Sequence, residues 1–144
     1  MAAGDFVYYN NFLVALGNKE VDLDTDTFTA LLCTSSYTPD RAAHVDIGDV
    51  TNELSGGDYA RVDLTSVSKT LTGTALKWTS ATVSFGNPVT LTAKYMLIFD
   101  NTHASDILVG YIDLNTGGGS VSSTTGPFTV APDGTLGWLT FDEP

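Results

Sequence analysis

The sequence predicts a mainly β fold: a single-domain antiparallel β-sandwich or barrel-like fold with a short N-terminal α-helix. Three observations carry this. Seven or eight short segments rich in β-branched and aromatic residues alternate with small polar turns. One stretch near the start, Phe6 to Leu16, places apolar residues at helical spacing instead. A chain of 144 residues, 42% of them hydrophobic, suits one core, so a single domain is assigned to 1–144.

The helix is expected over about residues 5–17. Asp5 can accept from a free N–H of the first turn. Phe6, Tyr9, Leu13 and Leu16 then recur at spacings of three, four and three, with Phe12 widening the stripe. Gly17-Asn18 is a natural stop, because glycine reaches the left-handed conformation cheaply. Three turns are marginal alone in water, so the aromatic face needs a partner, either the chain's own β-domain or a neighbouring subunit.

From Val21 the period changes to two. An extended conformation would put Asp22, Asp24 and Asp26 on one face, opposite Leu23, Thr25 and Thr27. Thr29 to Thr34 reads as a buried strand, and Pro39-Asp40 favours a turn. Residues 40–58 form a long irregular segment, a length that is usually functional or mobile. Strands are expected at Tyr59–Leu64, Leu71–Trp78, Ala81–Phe85, Val89–Phe99 and Ile107–Leu114. Gly117–Ser123 reads as a surface loop. Phe128–Val130 and Leu136–Phe141 flank Pro132-Asp-Gly134, a plausible hairpin turn.

Charge narrows the function classes. Seventeen acidic residues against six basic give a net charge of −11. That field repels phosphate backbones and anionic membrane surfaces, so neither nucleic acid nor membrane is an expected partner. It keeps a protein soluble, and it could also face a basic partner. No basic segment leading into an apolar run opens the chain, which predicts a protein made in the cytoplasm that leaves only by lysis or within an assembly.

Chemistry is sparse. Cys33 is the only cysteine and sits in an apolar run, which predicts a small core hydrophobe rather than a reactive thiol. Asp22-Leu-Asp-Thr-Asp26 invites calcium but fails the EF-hand pattern, with Thr27 at the glycine position and Cys33 at the glutamate position. His44 and His103 stand outside metal-ligand spacings and are expected to face solvent. No nucleophile elbow, Ser-x-x-Lys motif or phosphate loop is present. The expectation is a non-enzyme with no cofactor and no metal. Trp78 and Trp138 lie in strand-like patterns and are expected in the core, whereas Tyr37 is the best exposed aromatic.

The order Phe12-Leu13, Leu16-Gly17, Val21-Asp-Leu-Asp-Thr-Asp-Thr27 and Leu31-Leu-Cys-Thr-Ser-Ser-Tyr-Thr-Pro39 is distinctive. His44, Asp49-Val50, Asn52-Glu53, Ser55-Gly56 and Tyr59 follow it, then Ala93-Lys-Tyr95 and Ile98. Together these residues resemble a family of small virion proteins of tailed bacteriophages, most specifically between Asp22 and Tyr59. The resemblance implies a capsid decoration or cement protein that binds the outer capsid lattice and clamps adjacent major capsid subunits, as a homotrimer at threefold positions. It brings no catalytic residues. On that reading Phe6, Tyr9, Phe12, Leu13, Leu16 and Tyr37 form the contact, beside the 40–58 segment. Two alternatives stay open: a tail, neck or fibre component, and a carbohydrate-binding β-sandwich.

Overall fold

The computed structural model describes residues 3–142. It is mainly β, 36% strand and 8% helix, with several antiparallel sheets packed in a sandwich-like arrangement that does not close into a barrel. The elements are β1 (Val7–Tyr8), α1 (Asn10–Gly17), β2 (Phe28–Cys33), a 3-10 turn (Ile47–Asp49), β3 (Val62–Asp63), β4 (Ser68–Thr72), β5 (Ala75–Thr79) and β6 (Val83–Ser84). They continue with β7 (Leu91–Ala93), β8 (Tyr95–Asp100), β9 (Leu108–Asp113), β10 (Val121–Ser123), β11 (Thr129–Val130) and β12 (Leu139–Phe141). The main sheet runs β1-β9-β8-β2-β3. A three-stranded sheet β12-β5-β4 and the pairs β10-β7 and β11-β6 complete the architecture.

The main sheet is covered on both faces, which explains the unbroken apolar run of β2. Phe28, Ala30 and Leu32 enter the large core with Met96, Ile98 and Val109. Leu31, Cys33, Leu97, Phe99 and Leu108 point the other way and are buried by Tyr9, Tyr37, Ile47 and Val50. Central strands buried twice read as continuous hydrophobic runs rather than alternating ones. Trp78 is wholly buried, edge-on to Phe28 at 4.9 Å, and Trp138 is 3% exposed, both as expected.

Several local expectations change. The helix is shorter than 5–17, because residues 7–8 leave the helical stripe to pair with β9, Val7 opposite Tyr111 and Tyr8 opposite Gly110. Gly110 permits this approach: a Cβ there would lie 2.5 Å from the Phe6 ring. Asp5 therefore does not cap. Tyr9 occupies the N-cap position without a side-chain cap bond, its N–H donating to Val109 O at 3.1 Å. At the other end the left-handed residue is Lys19 (φ 63°), not Gly17; Glu20 N–H donates to Ala15 O and Lys19 N–H to Leu16 O, a Schellman arrangement.

Val21–Asp26 is a turn, not a strand with three carboxylates on one face. The Asp22 carboxylate accepts from the N–H groups of Asp24 (2.8 Å) and Thr25 (3.3 Å), and Asp22 N–H donates to Asp26 Oδ2 at 2.7 Å. Side-chain acceptance from nearby amides competes with a ladder, and here it wins. The Leu71–Trp78 segment is a hairpin, β4 to β5, closed by the two-residue loop Gly73-Thr74. Val89–Phe99 breaks at Lys94, after which the chain changes sheets. Val121–Ser123 belongs to a strand, paired with β7, within what reads as loop. The Pro132-Asp-Gly134 turn does not join paired strands: β11 pairs with β6 and β12 with β5.

Candidate interaction surface

Helix α1 is apolar on two sides, and only one is used internally. Phe12 and Ala15 are fully buried against the large core. Leu13 and Val14, adjacent in sequence, stand 42% and 57% exposed. Their exposure follows from the shortened helix: with Tyr9 diverted to the sheet side, Phe12 and Ala15 set the inner face and the next positions turn outward.

The residues expected at a contact therefore separate. Leu13 is exposed, and Phe6 and Leu16 are half-buried against the core. Tyr9, Phe12 and Tyr37 are corrections: each is at most 1% exposed inside the chain's own core and is not presented to a partner. Tyr37 in particular is not the exposed loop aromatic its sequence position suggested. Its ring fills the layer over β2 and β8, edge-on to Tyr95 at 5.8 Å. Val14 was not singled out by the helical stripe. Its signal is legible afterwards as a large apolar residue off that stripe.

A hydrogen-bonded chain fixes the helix to the following loop. Tyr9 and Tyr37 hydroxyls lie 2.7 Å apart, and the Tyr37 hydroxyl is 3.0 Å from His44 Nδ1. Burial, then the bond to Tyr37, pushes the Tyr9 hydroxyl far up, and burial raises Tyr37 to about 12, so both remain neutral phenols. His44 is half-buried in this chain rather than freely solvated; His103, likewise half-buried, accepts from Ser105 N–H at 3.1 Å. Arg41 adds a second tie: its Nε donates to Tyr8 O at 2.9 Å, its guanidinium lies 5.0 Å from the centre of the Tyr8 ring, and its own carbonyl accepts from Asn10 N–H.

The rest of the 40–58 segment is equally braced. Asp46 and Asp49 cap the 3-10 turn reciprocally, and bonds from Val45 and Asp46 N–H hold the Asp49 carboxyl below its ordinary range. Glu53 receives both Nε and Nη2 of Arg61 at 2.8 Å and the Tyr59 hydroxyl at 2.7 Å. Burial alone would raise the Glu53 carboxyl; the hydrogen bonds from Arg61 and Tyr59 outweigh it and lower it. Tyr59 in turn accepts from Leu32 N–H in β2 at 3.1 Å. Through Ile47 and Val50 this irregular segment is a fitted cover over the sheet's second face, while Leu54 and the adjoining Tyr59 pack on the large core.

Comparison with protein-family models, curated proteins and solved structures finds no match.

The remaining reactive side chains are structural in their surroundings. Cys33 is fully buried, and burial pushes its thiol up to about 12, so it is not a thiolate nucleophile at neutral pH. Among the described residues no three His, Cys, Asp or Glu side chains are grouped to hold a metal ion. The Asp22 carboxylate is committed to the Asp24 and Thr25 amides, and these bonds, Asp24 first, lower it. No described helix is long and apolar enough to cross a membrane. What the arrangement offers is a small apolar patch on a rigid mount.

Proposed function

We propose that the protein is a virion structural component of a tailed bacteriophage, a decoration or cement protein that binds the outer capsid lattice. It acts without catalysis or cofactor, as a homotrimer contacting major capsid protein, after synthesis in the host cytoplasm. The observation that carries the reading is the Leu13–Val14 pair: two adjacent exposed apolar side chains on a helix whose other face is locked into the core. A single such patch is small against the ~1,200–2,000 Å² of a standard specific interface. A repeated lattice offers the same patch to many equivalent sites, and avidity multiplies a weak contact. The resemblance between Asp22 and Tyr59 supports the same reading, because Tyr37 and His44 within it brace the start of the helix through Tyr9. Trp78, Trp138 and Tyr37 are all buried, so a sugar-stacking platform built from them is not favoured.

The test is co-sedimentation of purified protein with heads lacking it. Leu13→Ser with Val14→Ser should reduce head occupancy about tenfold, while the unfolding free energy stays within ~1 kcal/mol of the parent because both side chains are exposed. Full occupancy by the variant would remove α1 from the contact. Binding to purified tails instead of heads would move the protein to the tail, neck or fibre.

A further inference from the structure

The main sheet and the three-stranded sheet leave a gap between their edge strands β1 and β12. A cavity of about 470 Å³ is lined on one side by residues 3–6 and Tyr8, at β1, and on the other by residues 136–140, at β12. Among the described residues both strands are sheet edges: β1 has only β9 as neighbour, and β12 has only β5. The Phe6 and Trp138 rings stand against each other there, 5.7 Å between centres, while Leu136 is 53% exposed. Asp5 and Asp133 are the charged residues of the lining, which contains no Lys, Arg or His.

We propose that this seam receives an extended segment of a partner protein, which adds as a strand to the free edge of β12 and carries basic side chains toward Asp5 and Asp133. This does not depend on the capsid reading.

An edge strand presents unpaired backbone N–H and C=O groups, and peptide addition satisfies them while alternate side chains fill pockets. The receptive edge is β12 itself, over 139–141: at β1 the Tyr8 carbonyl is taken by Arg41 Nε, and ahead of β12 the Leu136 carbonyl and the Gly137 N–H are already bonded to Thr140 Oγ1 and Asp133 O. Gly137 shapes the start of that edge. It holds φ 67°, and a Cβ there would lie 2.5 Å from Trp78 O, so the backbone of the two strands runs closer than any side chain permits. The Asp133 carboxylate is fixed by the N–H groups of Thr135 and Leu136, both at 2.8 Å, so it stands at the rim without having to be ordered on binding. Lys77 approaches Asp133 from outside the lining and offsets part of its charge. The wider field of a −11 chain still favours a cationic segment over an anionic one.

The probe is a blocked hexapeptide alternating valine and lysine, titrated into the 15N-labelled full chain. Two controls replace lysine by glutamate, or place proline at a central valine. Binding near 100 µM (about −5.5 kcal/mol) is expected, with shifts at the amides of 137–140 and the Trp138 indole N–H. Both controls should bind at least about tenfold more weakly, and Asp5→Asn with Asp133→Asn should cost the lysine peptide about three- to tenfold. Asn keeps the Asp133 acceptor oxygen, so the double variant should fold. No shift up to about 1 mM, or equal binding of either control, overturns the proposal. So do peptide-free shifts at 137–140 that grow with protein concentration, which would assign the seam to a second copy of this chain.

Discussion

Asp100 ends β8 with its carboxyl fully buried. Oδ1 accepts from Thr102 N–H at 2.8 Å, while Oδ2 receives no backbone N–H and has only the Asp26 carboxyl as a neighbour to share a proton with. Burial, then the neighbouring Asp26 carboxyl, raises its pKa from 3.8 to about 6. The sign of the linkage follows from the raised value. Below about pH 4 both the folded and unfolded chains hold this proton. Between about pH 4 and pH 6 the unfolded chain has released it and the folded chain has not, so stability from this group falls as pH rises and levels off above about pH 7. Asp100→Asn keeps the acceptor for Thr102 and supplies an N–H₂ toward Asp26. The variant should be more stable than the parent at pH 8, on the order of 1–3 kcal/mol, with the gap shrinking toward pH 4. Urea unfolding of both chains across that range measures the difference directly; a gap independent of pH would mean that Asp100 does not carry the titration.

At the scale of elements, the 40–58 segment shows how an irregular stretch is held rigid without regular structure. One of its later ties is Glu53, clamped by Arg61 and Tyr59, with Thr34 N–H bonded to Asn52 O and Leu54 N–H to Leu32 O beside it. The Arg61 side chain is 42% exposed, so its ion pair contributes little global stability, below about 1 kcal/mol. Its effect should be local. Arg61→Ala is expected to leave the urea midpoint nearly unchanged while hydrogen exchange at Thr34 and Leu54 accelerates at least about fivefold. Unchanged exchange would place the restraint in the Tyr59 bond to Leu32 instead. The same elements mark what the sequence made legible. Thr29–Thr34 and Tyr95–Phe99 were readable because strands buried on both faces leave long apolar runs. β1 and β10 were not, since two or three residues of ordinary polarity become strands only when a partner edge exists. The Asp22–Asp26 turn was misread for a related reason: period-two alternation also fits a loop in which Val21 and Leu23 dip into the core. Of the surface patch, Leu13 was legible and Val14 was not, because the stripe that defines the inner face required knowing where the helix begins.

The whole molecule carries far more negative charge than its contacts neutralise. Against 17 acidic residues stand six basic ones, and the described residues show ion pairs at Arg61–Glu53, Lys69–Asp24 and Lys94–Asp113. Of these only Lys94 is a well-buried partner, its side chain 10% exposed. Many carboxylates are instead spent on turn amides, as at Asp22, Asp40, Asp49 and Asp133. Those local bonds lock the loops but leave the net repulsion in place. Salt should therefore stabilise this fold: screening weakens a large like-charge repulsion more than it weakens three pairs, two of them solvent-exposed. Raising NaCl from about 10 to 300 mM is expected to add about 1 kcal/mol, or roughly 4 °C in melting temperature for a domain of this size. Calcium chloride at matched ionic strength should give no additional shift, because the acidic turns direct their oxygens at backbone N–H groups and no described cluster gathers three ligands. A melting temperature that falls with NaCl would show that the specific pairs outweigh the field. A calcium-specific rise would instead show that the carboxylates of the Asp22–Asp26 turn can leave their amides for an ion, a rearrangement that lost amide bonds at Asp24 and Thr25 would register.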